Sequence, residues 1–171
     1  YPGIWHHGDR IEVTGEGGIV VHGRSDATLN PGGVRIGTAE VYRALESVPA
    51  IVEAAAVGKK VTATGDASVT DEEVWLAVVL TQGVSLDDTL RSQIAAAVRR
   101  DASPRHVPRL VFQVSDLPRT RSGKLMELMV ARIVNGADPG DSDAVANPAS
   151  LDAVRDAVAA LSRDQEERSR R

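Results

Sequence analysis

The residues best suited to chemistry lie in a short basic loop at residues 118–124, Pro-Arg-Thr-Arg-Ser-Gly-Lys. The loop opens with Pro118 after an apolar run, and a helix-like apolar run begins directly after Lys124. A stiffened loop in that position would hold the Lys124 ammonium at its tip, where it can meet an anionic ligand brought from elsewhere. The alternative is a solvated basic turn, which is the commoner role of charged surface loops.

A second candidate is the glycine-rich stretch at residues 23–37, Gly-Arg-Ser-Asp-Ala-Thr-Leu-Asn-Pro-Gly-Gly-Val-Arg-Ile-Gly. Its four glycines and one proline predict a sharply turning segment in which the backbone approaches another group closely. Arg24, Asp26 and Arg35 are its charged side chains. Considered alone, the stretch fits a ligand-binding loop and an inter-domain linker equally well.

Several known site patterns are excluded. The basic loop is not a Walker phosphate-binding loop, because that pattern needs glycine at 118 and Ser or Thr at 125, where the chain has Pro118 and Leu125. The glycines within residues 15–18 are not a dinucleotide fingerprint, because Val20 stands where the third glycine would be. The two histidines at 6–7 lack an obvious third ligand, so no metal site is predicted.

The bulk composition restricts the class of protein. The chain of 171 residues is 42% hydrophobic with only two Trp, two Tyr and one Phe, which predicts a core of Ala, Val, Leu and Ile. A net charge of −4 gives no global attraction to nucleic acid, and the lack of cysteine excludes disulfides, thiolate metal sites and thiol nucleophiles. No apolar run approaches the roughly 20 residues that cross a bilayer, and no signal peptide is visible, so we expect a cytoplasmic protein without a membrane partner. The opening Tyr-Pro-Gly-Ile-Trp reads as the middle of a larger chain, so we expect a fragment.

The elements that must position these loops follow from the periodicity of apolar residues and the turn signals. The first half of the chain is predicted to form a β-hairpin over 8–23, a helix capped by Thr38 and stopped by Pro49, a strand over 51–57, a polar loop over 59–72 with a solvated Lys59-Lys60 pair, and a central strand over 74–80. The second half is predicted to form a helix opened by Ser85 and ending at Arg99-Arg100, a strand over 110–114, and a helix from Leu125 to a C′ residue at Gly136. A linker over 137–148 and an amphipathic helix from Ser150 follow. This order, with short strands and interspersed helices, predicts a small α+β domain.

Each predicted helix has one apolar face. The predicted faces are Val41, Leu45 and Val48; Leu86, Leu90, Ile94 and Val98; Leu125, Leu128, Met129 and Ile133; and Leu151, Val154, Val158 and Leu161. The last of these helices needs a surface to cover, and we expect that surface to belong to another, larger domain of the parent protein. The charge-dense end over 163–171 is expected to fray.

Four segments together resemble the C-terminal motifs of adenylate-forming enzymes, the family of acyl-CoA synthetases, firefly luciferases and adenylation domains. The segments are residues 5–9, 23–26, 30–40 and 118–124, in matching order and spacing. The resemblance covers about residues 1 to 135. Within the family, the sequences of residues 23–40 and of the tail after 136 are most similar to the acetoacetyl-CoA synthetase branch.

The resemblance implies a domain organisation and a reaction. Residues 1–26 would be the end of a large N-terminal domain with the hinge, 27–136 a mobile C-terminal α+β domain, and 137–171 a C-terminal extension with a linker and an amphipathic helix. The complete enzyme would join a carboxylic acid, with acetoacetate expected, to CoA through an acyl-adenylate, releasing AMP and pyrophosphate from ATP. Its Mg²⁺ would be bound outside this fragment, which lacks the phosphate loop and substrate pockets and is expected to be inactive alone.

The resemblance also implies roles on the nucleotide side. Asp9 would accept hydrogen bonds from the two ribose hydroxyls of ATP, which a carboxylate suits because it offers two acceptors. Arg24 would support the same ribose, Asp26 would be the hinge, and Arg35 would lie near the nucleotide in one domain orientation. Asp9 follows His7-Gly8 here, where the family usually has Thr-Gly.

On the CoA side, Gly33 would line the path of the pantetheine arm, and Arg99 would contact CoA phosphates. The position of Arg99 in the last turn of a helix explains a cation there even without CoA, because cations complement the helix dipole. Lys124 would be the adenylation lysine, close to the substrate carboxylate and the α-phosphate. In relatives this lysine is acetylated by a protein acetyltransferase, a further implied partner.

Two other interpretations stay open from the residues. The chain could come from an amino-acid adenylation domain of a peptide synthetase, which would predict a carrier-protein segment downstream. It could also be a stand-alone binding or regulatory module whose basic loop grips an acidic partner.

Overall fold

The computed structural model describes residues 9–24, 28–62 and 70–169, with side chains for all of these except 9, 10, 22–24, 70 and 164–169. The helices and strands in chain order are β1 (Asp9–Val13), β2 (Ile19–Arg24), α1 (Thr38–Leu45), β3 (Ile51–Thr62), β4 (Thr70–Leu80), α2 (Asp88–Asp101), β5 (Leu110–Gln113), α3 (Glu127–Val134) and α4 (Ala149–Ser169), with short 3-10 turns at Pro31–Gly33, Pro104–His106 and Ser142–Ala144. None of the described helices is long and apolar enough to span a membrane.

The first two strands form the predicted hairpin. β1 and β2 pair antiparallel around a turn in which the Thr14 N–H donates to the Gly18 carbonyl at 2.8 Å. Gly17 occupies the left-handed region of backbone conformation at φ 79°, which glycine adopts without steric cost. The apolar side chains Ile11 and Ile19 are 54% and 65% exposed, so this hairpin stands apart from the main core.

The main sheet has the order β3-β4-β5, with β3 antiparallel and β5 parallel to the middle strand β4. The apolar run predicted for a central strand is confirmed, because β4 is covered on both faces. Alternate residues point to opposite faces of a strand, so Leu76 belongs to one hydrophobic cluster and its neighbours Trp75 and Ala77 to the other.

Helices cover the two faces of this sheet as separate layers. α1 and α2 pack on one face through the predicted residues Val41, Ile94 and Val98, each fully buried. α3 and α4 pack on the other face around Phe112 and Leu117. The α+β class predicted from the order of elements is confirmed.

The polar loop predicted over 59–72 is wrong at both ends, because its first residues belong to β3 and its last, from Thr70, belong to β4. β3 continues to Thr62, and its outer residues pair with oppositely charged residues of β4, Lys59 with Glu73 and Lys60 with Glu72. The Lys59 ammonium also donates to the carbonyl of Val134 at the end of α3, at 2.8 Å, so this lysine is not merely solvated.

Two predicted helix starts are displaced. Thr38 is the first residue of α1 and not its cap, which is Gly37. Ser85 lies before the helix that it was expected to cap. The carboxylate of Asp87 accepts the Leu90 N–H at 2.7 Å and caps α2, because a side-chain oxygen satisfies one of the unpaired N–H groups at a helix start.

The helix after the basic loop differs in its apolar face. α3 buries Met129 and Ile133 as predicted, but Leu128 is 50% exposed because it lies on the opposite side. Gly136 is confirmed as the residue that ends the helix, with φ 70°, and the following N–H of Ala137 donates to Arg132 at 2.8 Å.

The first turns of α4 correct the expectation that this helix covers another domain. Leu151 and Val154 are 3% and 0% exposed and belong to the same core cluster as α3. The stretch predicted as a linker is also partly built into the fold, since Val145 is buried in that cluster. α4 begins at Ala149, one residue before the predicted cap Ser150.

The burial of Val154 makes a testable prediction. Val154→Ala should lower the free energy of unfolding by roughly 2 kcal/mol, because the lost methyl groups leave a cavity in the core. Val84→Ala, at a loop position 37% exposed, should change it by less than about 0.5 kcal/mol. Chemical denaturation of the 171-residue chain measures both, and equal effects would contradict the packing of α4 on this domain.

Candidate functional site

The basic loop folds back on itself as a miniature hairpin. The Thr120 N–H donates to the Lys124 carbonyl at 2.9 Å, and the Lys124 N–H donates to Thr120 Oγ1 at 3.0 Å. The Gly123 N–H closes the turn onto the Thr120 carbonyl at 2.8 Å, with Gly123 at φ 83°. A residue with a side chain rarely adopts that conformation, so the glycine before the lysine is required by the turn.

One of the three cations in the loop has a structural role. The Arg119 guanidinium donates to the carbonyl of Gly123 at 2.6 Å and forms an ion pair with Glu53 on β3. Arg121 and Lys124 are exposed. Within the described part of the chain, the Lys124 ammonium has no hydrogen bond or ion pair, so its charge is available to an external anion.

The C-terminal extension lies along the other side of this loop. Thr120 forms an isolated bridge with Val145, and the Ala146 N–H donates to the Arg119 carbonyl at 2.8 Å. The Arg119 N–H donates in turn to Oδ1 of Asn147 at 2.9 Å. The backbone that leads into the loop is therefore held by the segment that the sequence presented as a linker.

The helix that follows the loop is held to the sheet by a buried phenol. The Tyr42 hydroxyl donates to the Glu127 carboxylate in the first turn of α3 and accepts the Ala56 N–H of β3 at 3.0 Å. Burial, the negative charge of Glu127 and their hydrogen bond raise the pKa of Tyr42 well above its ordinary value. The hydroxyl therefore stays protonated and fixes the start of α3.

The glycine-rich stretch forms a second loop. Leu29 and Ile36 exchange two backbone hydrogen bonds, at 3.0 and 2.9 Å, and both side chains are buried. Between them Gly32 and Gly33 have φ of 58° and 77°, a turn that favours glycine. Gly33 and Arg35 are exposed at this loop, which places them where a ligand can reach them.

Two carboxylates at the start of β4 anchor this loop. The Asn30 N–H donates to Glu72 Oε1 at 2.7 Å, and the Gly32 N–H donates to Asp71 Oδ1 at 2.9 Å. The N–H groups of Glu72 and Gly32 hold the pKa of the Asp71 carboxyl below its usual value. The ionised Asp71 carboxylate therefore stabilises the loop at neutral pH. This stabilisation is lost only in acid, as the pH falls through the lowered pKa of Asp71.

Gly58 on β3 makes room for this anchor. A Cβ built at Gly58 would lie 2.2 Å from Cδ of Glu72, far inside contact distance. The glycine thus lets the Glu72 side chain lie across β3 and reach Asn30. Nothing in the sequence pattern marks Gly58, which reads as the end of a short strand.

The domain has a groove of about 540 Å³. Its lining includes residues 28–29 of the glycine-rich stretch, residues 125–129 directly after the basic loop and residues 56–58 of β3. The first part of the glycine-rich stretch and the segment that follows the basic loop therefore line one concave surface of the domain.

The remaining predicted site residues lie elsewhere or outside the described part. The hairpin register pairs the backbone of Asp9 directly with that of Arg24. Arg99 is exposed in the last turn of α2. Asp26 and the histidines at 6–7 lie outside the described residues. No group of three or more His, Cys, Asp or Glu able to hold a metal occurs among the residues described.

A serine, a histidine and a glutamate also meet beside α1. His106 Nδ1 lies 2.8 Å from Ser103 Oγ, and its Nε2 lies 2.5 Å from the carboxylate of Glu40. The Ser103 hydroxyl accepts the Arg105 N–H at 3.3 Å, and the imidazole is only 7% exposed. This contact ties the turn at Pro104–His106 to α1.

The residues that sequence reasoning missed are the supports of the two loops. They are Glu53, Asp71, Glu72 and Asn147. Glu53 lies in a predicted strand, Asp71 and Glu72 in the predicted polar loop and Asn147 in the predicted linker, and no local pattern distinguishes any of them. Only their long-range partners give them a role.

Comparisons with known proteins identify relatives of this chain. The sequence profile described as the AMP-binding enzyme C-terminal domain matches residues 40–124. The acetoacetyl-coenzyme A synthetase of Rhizobium meliloti (strain 1021) is 47% identical over 152 residues, 89% of this chain and 22% of that protein. The malonamoyl-CoA synthetase vrtB of Penicillium aethiopicum is 40% identical over 141 residues, 81% of this chain and 19% of that protein.

Solved structures give the same family. The acetoacetyl-CoA synthetase from Streptomyces lividans superposes with a TM-score of 0.77 at 35% identity, covering 94% of this chain and 23% of that one. The chain thus spans about a fifth of the length of the relatives it matches. Through residues 40–124, the chain belongs to the AMP-binding enzyme C-terminal domain family.

Proposed function

We propose that this chain is the C-terminal domain of an AMP-forming acyl-CoA synthetase that activates acetoacetate. The observation that carries the proposal is the exposed Lys124 ammonium on a loop held from both sides, within a fold shared with acetoacetyl-CoA synthetases. The relatives favour this ligase over a peptide-synthetase fragment and over a stand-alone regulatory module.

Lys124 would act in the first half-reaction. A carboxylate oxygen of the acid attacks the α-phosphorus of ATP, and the bond to the pyrophosphate leaving group breaks. Both reactants are anions, so a positive charge between them offsets their repulsion and the charge that builds on the oxygens. An ammonium without a partner among the described residues meets that need without first breaking an ion pair.

The glycine-rich loop would act in the second half-reaction. The thiol of CoA attacks the carbonyl of the acyl-adenylate, and AMP leaves. Gly33 would line the path of the pantetheine arm, where a side chain would obstruct, and Arg99 would meet the CoA phosphates. Arg35 would lie near the nucleotide.

The two loops are anchored at opposite ends of β3. Arg119 of the basic loop contacts Glu53, whereas the anchor Glu72 lies opposite Lys60, seven residues further along. Seven residues of strand span roughly 23 Å. We infer that the domain presents one loop or the other to a single active site by rotating about the hinge at Asp26, with Asp9 and Arg24 on the ribose.

Three finer parts belong to the same proposal. Mg²⁺ would be held with ATP by the large domain and not by this chain. Acetylation of Lys124 by an acetyltransferase would switch off the first half-reaction, because it removes the charge. The reaction would take place in the cytoplasm, as part of ketone-body metabolism.

Acetoacetate itself is inferred from the names of relatives, one of which is a malonamoyl-CoA synthetase. A panel of short 3-oxo and unsubstituted acids, assayed by pyrophosphate release from the complete enzyme, decides between acyl groups. Acetoacetate should give the highest kcat/KM, and preference for another acid would correct the substrate alone.

The role of Lys124 predicts an effect confined to one half-reaction. In the complete enzyme, Lys124→Ala should slow acid-dependent pyrophosphate release by at least about 100-fold, the usual range for losing one electrostatic stabiliser. Thioester formation from supplied acyl-adenylate should be retained. Arg155→Ala, which removes an exposed cation from α4, is the control and should leave both rates unchanged. Survival of both half-reactions in Lys124→Ala would refute the proposal.

The role proposed for the glycine-rich loop predicts an effect confined to the other half-reaction, thioester formation. Gly58→Ala should push the Glu72 carboxylate away from the Asn30 N–H and slow thioester formation roughly tenfold, because misplaced positioning groups cost rate, while pyrophosphate release persists. Gly15→Ala is the matched control, since nothing lies within 4 Å of a Cβ added there. Equal effects on both half-reactions would contradict a role in the second one.

A further inference from the structure

We propose that Asn147, in the C-terminal extension, is a positioning residue for the Lys124 loop. The kinetic part of this inference rests on the proposed function of Lys124, whereas its structural part does not. Asn147 lies 23 residues beyond the lysine and outside the stretch matched by the family profile, which ends at residue 124.

The side-chain amide of Asn147 bonds three groups at the entrance to the loop. Its Oδ1 accepts the Arg119 N–H at 2.9 Å. Its Nδ2 donates to the Leu117 carbonyl at 2.8 Å and to Asp116 Oδ2 at 2.6 Å. A primary amide is suited to this place because it supplies an acceptor and two donors at once.

The neighbouring backbone extends the contact. The Ala146 N–H donates to the Arg119 carbonyl at 2.8 Å, and Val145 forms a bridge with Thr120. On the other side, Arg119 forms a bridge with Leu125. The incoming arm of the loop, residues 119–120, is thus the middle one of three short extended segments, and one of its two neighbours comes from the extension.

Asn147 is itself fixed by the core. Its carbonyl accepts the Ser150 N–H at 2.9 Å and the Ser150 hydroxyl at 2.6 Å, at the first turn of α4. Leu151 and Val154 of the same helix are buried against α3. The support of the loop therefore runs from a packed helix through one amide to the backbone of Arg119.

This support matters because lysine is a flexible residue. The four-carbon stem of Lys124 leaves its ammonium free to move, so the position of the charge depends on how well its backbone is held. Groups fixed near their productive geometry lose less entropy on reaching the transition state. Loosening the loop should therefore slow the step that uses Lys124 more than it lowers the stability of the fold.

The test compares Asn147 with a second asparagine whose side chain makes the same number of hydrogen bonds. Asn135 also makes three side-chain bonds, to the Gly58 carbonyl, the Ala131 carbonyl and the Lys60 N–H, each at 2.8 Å, but none to the loop. In the complete enzyme, Asn147→Ala should slow acid-dependent pyrophosphate release about tenfold, with thioester formation from supplied acyl-adenylate unchanged. Asn135→Ala should not slow pyrophosphate release selectively.

A second readout does not depend on activity. Hydrogen exchange of the backbone amides over residues 119–124 should accelerate in Asn147→Ala, because the Arg119 N–H loses its acceptor, and should stay unchanged in Asn135→Ala. The exchanged pair Asp116→Asn with Asn147→Asp keeps an acceptor for Arg119 and restores a donor between the two side chains. It should recover most of the protection and rate, whereas Asn147→Asp alone should not, because it places two carboxylates together.

The outcomes separate this inference from the proposed function. Unchanged exchange over residues 119–124, or equal loss of pyrophosphate release in the Asn147→Ala and Asn135→Ala variants, would overturn the positioning role of Asn147. If Lys124→Ala retains pyrophosphate release, the proposed function fails, yet faster exchange in Asn147→Ala would still support the structural role.

Discussion

The antiparallel ladder between β3 and β4 is the constraint on which the rest of the structure depends. Its inner half is covered by helices on both faces, and its outer half continues past the core, where charged residues pair across the strands. The basic loop is anchored to this ladder through Glu53, and the glycine-rich loop through Asp71 and Glu72. The rigidity of the paired strands is therefore what gives two exposed loops fixed positions.

The turns of both loops are held by hydrogen bonds, and the basic loop also by the ion pair between Arg119 and Glu53. A single hydrogen bond contributes only about 1 kcal/mol to stability, so these contacts add little to the free energy of folding. These contacts fix the orientation of the loop backbone, because an N–H must point at its acceptor. The hydrophobic clusters set the stability of the domain, and the polar contacts at residues 30–32 and 119–120 set where its exposed loops are presented.

Much of the fold could be predicted from local patterns. The first hairpin, the central strand, the helix end at Gly136 and the basic loop all follow from apolar periodicity and the conformational preferences of glycine and proline. Predictions were wrong where the stabilising partner lay far along the chain. Lys59 was expected to be solvated, but it meets Val134, and α4 was expected to cover another domain, but its first turns meet α3.

The sequence by itself determined which residues could do chemistry: an exposed lysine behind a turn that requires glycine, and a glycine-rich stretch with arginines. Their motifs lie in order along the chain and need no fold to be seen. Only the tertiary structure decided how they are held. The Asn30–Glu72 contact spans 42 residues and the Arg119–Asn147 contact spans 28, and neither forms until the sheet and the two helix layers bring those residues together. Local preference fixes the shape of a turn, whereas its place in the molecule depends on partners that only a packed core can deliver.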